Sequence, residues 1–136
     1  MVTQLTLELP SYRRGYHLIT DKVMELLPTL PESGLLNLFI QHTSAALTIN
    51  ENADPSVRQD LRTFVDELIP DNYAGFTHTI EGPDDMSAHI KSSFFGPSLT
   101  IPILQHKLAL GTWQGIFLCE FRNGAPRRKI VVTIFH

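Results

Sequence analysis

Hydrophobic and polar residues alternate from Val2 to Leu9, and Pro10 ends the alternation. Successive side chains of a strand point to opposite faces of a sheet, so this pattern predicts an opening strand. Residues 35–41 are nearly all apolar, which predicts a strand covered on both faces. Apolar segments separated by Pro, Gly and Asn predict further strands over residues 98–103, 107–110, 115–121 and 129–135. The third of these is apolar on both faces and should be central.

Two segments before residue 70 have apolar residues at helical spacing, each with its own start signal. Thr20 predicts the N-cap of a short helix that ends before Pro28. Asp54-Pro55 predicts the start of a long helix, because Asp accepts backbone N–H bonds and proline lacks only a donor that would be unpaired anyway. The expected buried positions are Val23, Met24, Leu26 and Leu27 in the short helix and Val57, Leu61, Phe64, Val65 and Leu68 in the long one.

A second long helix is predicted to begin at Asp84 or Asp85 and to run through Ser93. Its expected buried positions are Met86, Ile90 and Phe94. The chain has 136 residues and no repeat, linker or low-complexity segment, so residues 1–136 are expected to form a single domain. The mixture of elements predicts an α+β fold with layered, mostly antiparallel sheets and two longer flanking helices.

Composition and charge exclude several classes of protein. Lys and Arg number 11 against 14 Asp and Glu, a net charge of -3 that provides no field to hold nucleic acid. No apolar run approaches the roughly 20 residues that span a bilayer, and the N-terminus lacks the layout of a signal peptide. The single Cys119 forms neither an internal disulfide nor a multi-cysteine metal site, which suits a reducing compartment. We therefore expect a soluble cytoplasmic protein with no membrane partner.

The first concentration of polar side chains covers residues 42–54. In an extended segment, a period of two places His42, Ser44, Thr48 and Asn50 on one face, with apolar residues behind them. An edge strand with a solvated outer face is the alternative interpretation of this pattern. However, Lys and Glu are the usual residues on such a face, so the segment is also a candidate binding wall.

The second concentration covers residues 76–93, where Glu81, Asp84 and Asp85 lie between two histidines, His78 and His89. Asp85 and His89 are four residues apart and share a face of the predicted helix. The carboxylate can therefore orient the imidazole or bind an ion beside it. Helix capping by the two aspartates is the structural alternative, and it is compatible with ligation.

Three histidines, His42, His78 and His89, are candidate ligands of a divalent metal, together with Glu81 or Asp85. Neutral imidazole and carboxylate suit Zn, Mn, Fe or Ni, and Mg is a further candidate cation. The spacing matches no compact metal motif, so acid/base catalysis by the same residues stays open as an alternative. The other histidines look like surface residues; they are His17, His106 and His136.

Hydroxyl and basic side chains of the kind that hold phosphate occur in two clusters, although no Gly-rich phosphate loop precedes a helix. They are Lys91, Ser92 and Ser93, and Arg127, Arg128 and Lys129. A solvated turn is the alternative interpretation of the basic residues 127–129. The only tryptophan, Trp113, lies beside Gln114 between two glycines, where it either contacts a ligand or fills a tight turn.

Five blocks of the sequence closely resemble the YjbQ-like (UPF0047) family of small bacterial and archaeal proteins, also described as secondary thiamine-phosphate synthases. The resemblance runs from about Gly15 to Ile134. The blocks are QHTSA at 41–45, NENADP at 50–55, EGPDDM at 81–86, HIKSS at 89–93, and the stretch from 98–99 (SL) onward to GTWQG at 111–115.

The resemblance implies an α+β fold that assembles as a homotrimer with polar pockets between subunits. It also implies a weak activity that joins hydroxymethylpyrimidine diphosphate to a thiazole phosphate and releases pyrophosphate. The family's shared His and Asp positions correspond to His42, His78, His89, Asp54 and Asp85. Relatives commonly carry Glu-His-Arg followed by a His-Gly-Gly loop, whereas this chain lacks both histidines, at the Phe121 and Gly124 positions, so no role of theirs transfers.

The leading hypothesis is therefore a trimeric enzyme with a divalent metal and a small phosphorylated substrate. The expected metal ligands are His42, His78 and His89, and the expected catalytic residues are His42, Asp54, Asp85 and His89. The expected substrate contacts are Ser44, Thr48, Asn50, Lys91, Ser92, Ser93, Trp113, Gln114 and Arg128. The alternatives are a non-catalytic binding protein for a phosphorylated or anionic metabolite and a metal-dependent hydrolase.

Overall fold

The computed structural model describes residues 1–136 and contains eight strands and three helices. The strands are β1 (Val2–Glu8), β2 (Gly15–Leu18), β3 (Ser33–Ile40), β4 (Ala45–Glu51), β5 (Ser98–Leu104), β6 (Lys107–Leu108), β7 (Gln114–Glu120) and β8 (Lys129–Phe135). The helices are α1 (Thr20–Leu26), α2 (Pro55–Leu68) and α3 (Asp85–Phe95). The predicted α+β class is confirmed, and none of the helices combines the length and apolar composition needed to cross a membrane.

The strands form two antiparallel sheets. The large sheet has the order β1-β8-β3-β5-β6, and the small sheet has the order β2-β7-β4. β7 is central in the small sheet and is buried from Gly115 to Glu120, as its apolar pattern predicts. The four residues of β2 show no alternation of their own, and pairing with β7 is what holds them in the sheet.

The main core lies between the two sheets. It contains 17 buried residues, including Leu36 and Leu38 of β3, Leu47 of β4 and Leu118 of β7. A second cluster of 6 buried residues lies on the opposite face of the small sheet, where Ala88 of α3 packs on it. The order of layers is therefore large sheet, small sheet and helices, and the small sheet is covered on both faces.

β3 is covered on one face only, which corrects the expectation that its apolar run is buried on both faces. Leu36 and Leu38 are fully buried between the sheets, whereas Leu35 and Phe39 remain 45% and 40% exposed. The exposed pair lies on the outer face of the large sheet, where no element of the same chain packs.

The two predicted caps behave differently. Asp54 caps α2 as expected, because its side chain accepts a hydrogen bond from the Ser56 backbone N–H at 2.9 Å and Pro55 follows it. Thr20 does not cap α1; the N-cap residue is Ile19, with no side-chain cap. The Thr20 hydroxyl instead accepts a hydrogen bond from the Ile116 N–H at 2.9 Å, which ties α1 to β7.

The buried stripes of the two long helices also differ from the periodic pattern. In α2 Val65 is buried, but Phe64 and Leu68 are 67% and 65% exposed. In α3 the expected apolar positions are half-buried or exposed, and the buried residues are Asp85, Ser87, Ala88 and Lys91. Lys91 can be buried because its Nζ atom lies 2.6 Å from the Asp66 carboxylate of α2, which neutralises its charge.

Candidate metal centre

The first turns of α3 and the loop before it bring together His78, Asp85 and His89. The helical spacing of Asp85 and His89 places both on one face, and the loop delivers His78 to the same carboxylate. The Asp85 Oδ2 atom lies 2.6 Å from His78 Nε2 and 3.0 Å from His89 Nε2. Asp85 is 2% exposed, whereas the two histidine side chains are 41% and 30% exposed, so the cluster has a buried base and an open rim.

The hydrogen bond on the far side of His89 decides the tautomer of its ring. Nδ1 lies 2.8 Å from the Thr43 carbonyl oxygen, which can only accept, so Nδ1 carries a proton. In the neutral ring Nε2 then has a lone pair, and that lone pair faces the Asp85 Oδ2 atom. Either a second proton or a cation must lie between these two atoms. Metal-binding histidines commonly donate their other N–H to a backbone carbonyl in this way.

Asp85 is an anion held from two sides. Its Oδ1 atom accepts a hydrogen bond from Arg122, whose Nε also lies 3.0 Å from Asp84. Burial opposes the Asp85 charge, but the hydrogen bond from His78 and the charges of His89 and Arg122 outweigh it and hold the pKa of Asp85 below its usual range. Asp85 is therefore a carboxylate at neutral pH, as a metal ligand must be.

The predicted start of α3 at Asp84 or Asp85 is confirmed, but no side-chain capping hydrogen bond forms there. Asp84 is the N-cap residue of α3, but its side chain makes no capping hydrogen bond. Its carboxylate instead accepts hydrogen bonds from Arg122 and, at 2.7 Å, from the Asn123 backbone N–H. Arg122 also donates to the backbone carbonyl of Glu81 at 3.0 Å, so it joins the loop, the helix and the end of β7.

His42 does not join the other two histidines. Its Nε2 atom accepts a hydrogen bond from the Lys129 N–H at 2.9 Å, and its Nδ1 atom lies 3.3 Å from the Arg128 guanidinium. Burial and then the charges of Arg128 and Lys129 lower the pKa of His42, so the ring is neutral at neutral pH. Both nitrogens face protein donors, which leaves neither free for a metal in this structure.

His42 and His89 nevertheless border the same cavity, which has a volume of about 460 Å³. Two distant sequence segments supply its walls, the loop before β4 and the outer side of α3. The lining residues are His42, Thr43, Ala45, His89, Ser92, Ser93 and Pro97. Four of the residues predicted from the sequence are thus brought together here, and they are His42, His89, Ser92 and Ser93.

The two basic residues among the expected substrate contacts are buried. Lys91 is 0% exposed and paired with Asp66, and Arg128 is 3% exposed with both Glu120 oxygens within 2.7 Å. Arg128 also donates to the Ser44 hydroxyl at 3.0 Å, so that hydroxyl is buried with it. Their charges are neutralised within the chain, and neither residue lines the cavity beside His89.

The remaining predicted residues lie apart from the cluster. β4 begins at Ala45, and buried Ala46 interrupts the expected polar wall between Ser44 and Thr48. Asn50 accepts from the Glu51 N–H, and its strand pairs with the start of β7 at the far end of the small sheet. Three predicted residues, Asp54, Trp113 and Gln114, lie at that end, about 20 Å along the strand from Ala45, where β4 begins.

A second cavity, of about 440 Å³, borders His78 and was not predicted from the sequence. The loop between α2 and α3 forms most of it, and Met86 of α3 also lines it. The signal available in the sequence was the aromatic pair Tyr73 and Phe76 on either side of Gly75. The Thr43 carbonyl had no signal at all, because a backbone atom leaves no trace in residue identity.

The two-sheet fold and the His/carboxylate cluster define a small α+β protein with a candidate metal centre. The model of the family described as "UPF0047 protein YjbQ-like" matches residues 4–136. The chain belongs to this UPF0047 YjbQ-like family.

Relatives in sequence and in structure agree on the family. The UPF0047 protein YjbQ of Salmonella typhimurium is 50% identical over 133 residues, 96% of each chain. The UPF0047 protein MJ1081 of Methanocaldococcus jannaschii is 45% identical, over 88% of this chain and 91% of its own. The crystal structure of TT1486 from Thermus thermophilus is similar with a TM-score of 0.82 and 38% identity, over 93% of this chain and 97% of that one. A YbjQ-like protein of unknown function from Sulfolobus solfataricus has a TM-score of 0.85 and 27% identity, over 98% and 96%.

Proposed function

We propose that this protein is a metal-dependent enzyme in which His78, Asp85 and His89 hold one divalent cation. The observation that carries the proposal is the Nδ1–H of His89 donating to the Thr43 carbonyl at 2.8 Å. In the neutral ring it leaves the Nε2 lone pair facing a carboxylate oxygen at 3.0 Å, an arrangement that a cation bound by both atoms would relieve.

The donor set fits a transition metal. Two imidazoles and one carboxylate suit Zn, Mn, Fe or Ni, whereas Mg prefers oxygen ligands and fits less well. The atoms that hold the ligands are also present, since Arg122 binds the other oxygen of Asp85 and Thr43 binds the other nitrogen of His89. Three protein ligands with an open rim are typical of catalytic rather than structural metal sites.

The expected substrate is a small phosphorylated metabolite. A bound divalent cation would supply the positive charge that neutralises a phosphate or diphosphate leaving group. The chain needs such a source of charge, because Lys91 and Arg128 are neutralised internally. Around the cavity the Ser92 hydroxyl donates to Thr43 O at 2.8 Å and the Ser93 hydroxyl to His89 O at 3.0 Å. Their remaining lone pairs are left to accept hydrogen bonds from hydroxyl or amino groups of the substrate.

The resemblance to secondary thiamine-phosphate synthases supports a more specific reaction within this class. In that reaction hydroxymethylpyrimidine diphosphate is joined to a thiazole phosphate and pyrophosphate is released, here as a side activity. A hydrolase of another phosphorylated substrate would use the same metal centre, and a binding protein would use the same cavity without turnover.

We also propose that the chain assembles as a homotrimer through the outer face of the large sheet. A row of apolar residues crosses four neighbouring strands there, and its members are Val2, Phe135, Leu35 and Pro102. The first three are 55%, 44% and 45% exposed, so the row is an apolar stripe that a second copy would cover. Native mass spectrometry should report three chains per particle, and Leu35→Glu should shift the mass toward the monomer.

The test of the metal proposal begins with protein purified without added metal or a His tag. Calorimetric titration with Zn, Mn and Ni should show one site per chain, and His89→Ala and Asp85→Asn should lose it. His136→Ala is the matched control, because it removes an exposed imidazole outside the cluster. The metal-loaded protein is then assayed for pyrophosphate release from the two thiamine precursors and for phosphate release from single phosphorylated metabolites.

Each outcome of this experiment assigns one function. Pyrophosphate release that needs both precursors supports the synthase reaction, and consumption of a single phosphorylated metabolite supports the hydrolase. Tight binding without turnover supports the binding protein. Wild-type protein that takes up none of the three metals would overturn the proposal.

A further inference from the structure

The cavity beside His78 has a different character from the cavity beside His89. Its volume of about 440 Å³ lies in the range of small-molecule sites. Aromatic and aliphatic side chains contribute much of its wall, including Tyr73, Phe76, Ile80 and Met86. His78 and His89 both contact Asp85 Oδ2, so each imidazole of the cluster borders one of the two cavities.

The aromatic wall is built into the loop. The rings of Tyr73 and Phe76 pack with centroids 5.1 Å apart at an angle of 57°, and Tyr73 is 60% exposed. Gly75 allows this arrangement, because a Cβ atom at that position would collide with the Tyr73 ring. Met86 is half-buried and its flexible thioether adapts to flat partners. The loop therefore presents a preformed ring surface beside the metal ligands.

The polar atoms of this cavity give no reason to place a second phosphate in it. The one carboxylate in its wall is Asp71, which is paired with Arg14 at 2.7 Å and hydrogen-bonded to the Ser87 hydroxyl. No Lys or Arg side chain lines the cavity. An uncharged, flat part of a ligand fits these walls better than an anion does.

We propose that this cavity binds an aromatic ring of the substrate, whose phosphate lies at the cluster of His78, Asp85 and His89. The inference rests on the proposed function for the position of the phosphate. It adds the place of the ring within the site, and that Tyr73 and Phe76 select phosphorylated ligands that carry one over those that do not.

The experiment compares phenyl phosphate with methyl phosphate, which differ in the ring alone. Their dissociation constants are measured by ligand-detected NMR, with and without bound Zn. Phenyl phosphate should bind wild-type protein about tenfold more tightly, in line with the energy of one aromatic contact. Tyr73→Ser and Gly75→Ala should remove most of that ratio, the first by deleting the ring and the second by displacing it.

Phe94→Ser is the matched control, because Phe94 is 76% exposed on α3 and lines neither cavity. This variant should keep the wild-type ratio. Equal affinities for the two phosphates in the wild type, or a ratio unchanged in both Tyr73→Ser and Gly75→Ala, would overturn the inference. The proposed function has its own test in the same data: equal affinities of methyl phosphate with and without Zn would contradict it. The ratio of the two dissociation constants tests the ring site whether or not Zn has an effect.

Discussion

Two polar networks in this protein contain a histidine, a carboxylate and an arginine, and they differ in how completely the oxygens of the carboxylate are matched by donors. Around Arg128, both Glu120 oxygens accept from the guanidinium, Ser44 accepts as well, and the pair is at most 3% exposed. Around Asp85, one oxygen faces two imidazoles, and the neutral form of His89 has no proton to give it.

The difference separates a structural network from a functional one. A buried ion pair whose hydrogen bonds are all satisfied holds its elements together and has nothing left to offer a ligand. A cluster at the rim of a cavity, where the lone pair of a neutral His89 faces a carboxylate, still has room for a proton or a cation between the two atoms. Residue type alone does not distinguish the two, since His42 and His89 were equal candidates in the sequence.

The largest loss of stability is expected from Glu120→Ala, which breaks the network around Arg128. This variant leaves Arg128 buried without its carboxylate, and removal of one partner from a buried pair destabilises a protein by about 3–5 kcal/mol. Urea denaturation followed by circular dichroism measures the free energy of unfolding. The control is Glu8→Ala, whose partner Arg127 is 61% exposed, and its loss should be about 0.5 kcal/mol. Similar losses in the two variants would contradict the distinction between the networks.

The stability conferred by the cluster of His78, Asp85 and His89 should depend on bound metal instead. Zn at about 100 times its dissociation constant should raise the free energy of unfolding of the wild type by about 2.7 kcal/mol, because it binds the folded state alone. His89→Ala should gain nothing from Zn, while its stability without Zn stays close to that of the wild type. Thermal melts at matched metal concentrations measure both quantities. A His89→Ala protein that Zn stabilises as much as the wild type would place the metal elsewhere.

Much of the fold could be predicted from local patterns. The alternation of apolar and polar residues predicted β1, and the apolar segments predicted β5, β7 and β8. Asp54-Pro55 predicted the start of α2. These signals worked because each depends on residues within one element. The predicted buried face of α3 was wrong because two polar residues are buried instead. Lys91 pairs with Asp66 and Ser87 with Asp71, which lie 25 and 16 residues away.

The candidate site was predictable as two segments but not as a geometry. Residue types at 42–54 and 76–93 marked the segments, and the structure joins them at Thr43 and His89. The separation of His42 from the cluster depends on the Lys129 N–H, which lies 87 residues away and is a backbone group. No side-chain pattern reports such a bond.

A smaller effect is expected at low pH from the network around Asp66 and Asp71. Burial opposes both charges, but contacts with Lys91 and Arg14 outweigh it and lower the pKa of each carboxyl. A carboxyl with a lowered folded-state pKa stabilises the fold above its unfolded value of about 4, and that contribution is lost as the pH falls through the folded value. Urea denaturation from pH 6 downward, at about half-unit steps, should show a loss of stability below about pH 4. Asp71→Asn should make that loss shallower, and identical slopes for the two proteins would contradict this origin.

The smallest effect is expected from Asp54→Ala, and it tests the remaining difference between the family resemblance and the geometry. The resemblance makes Asp54 catalytic, whereas within the chain it caps α2 and lies at the far end of β4 from Thr43. Loss of the cap should lower the melting temperature slightly and leave Zn affinity unchanged, and Asp54→Asn should behave as the wild type because Asn caps equally well. If Asp54→Ala instead lost Zn or turnover while remaining folded, Asp54 would have to act on the cluster of another copy of the chain. Asp54 would then be a structural carboxylate within its own subunit and a functional one for the cluster of its neighbour.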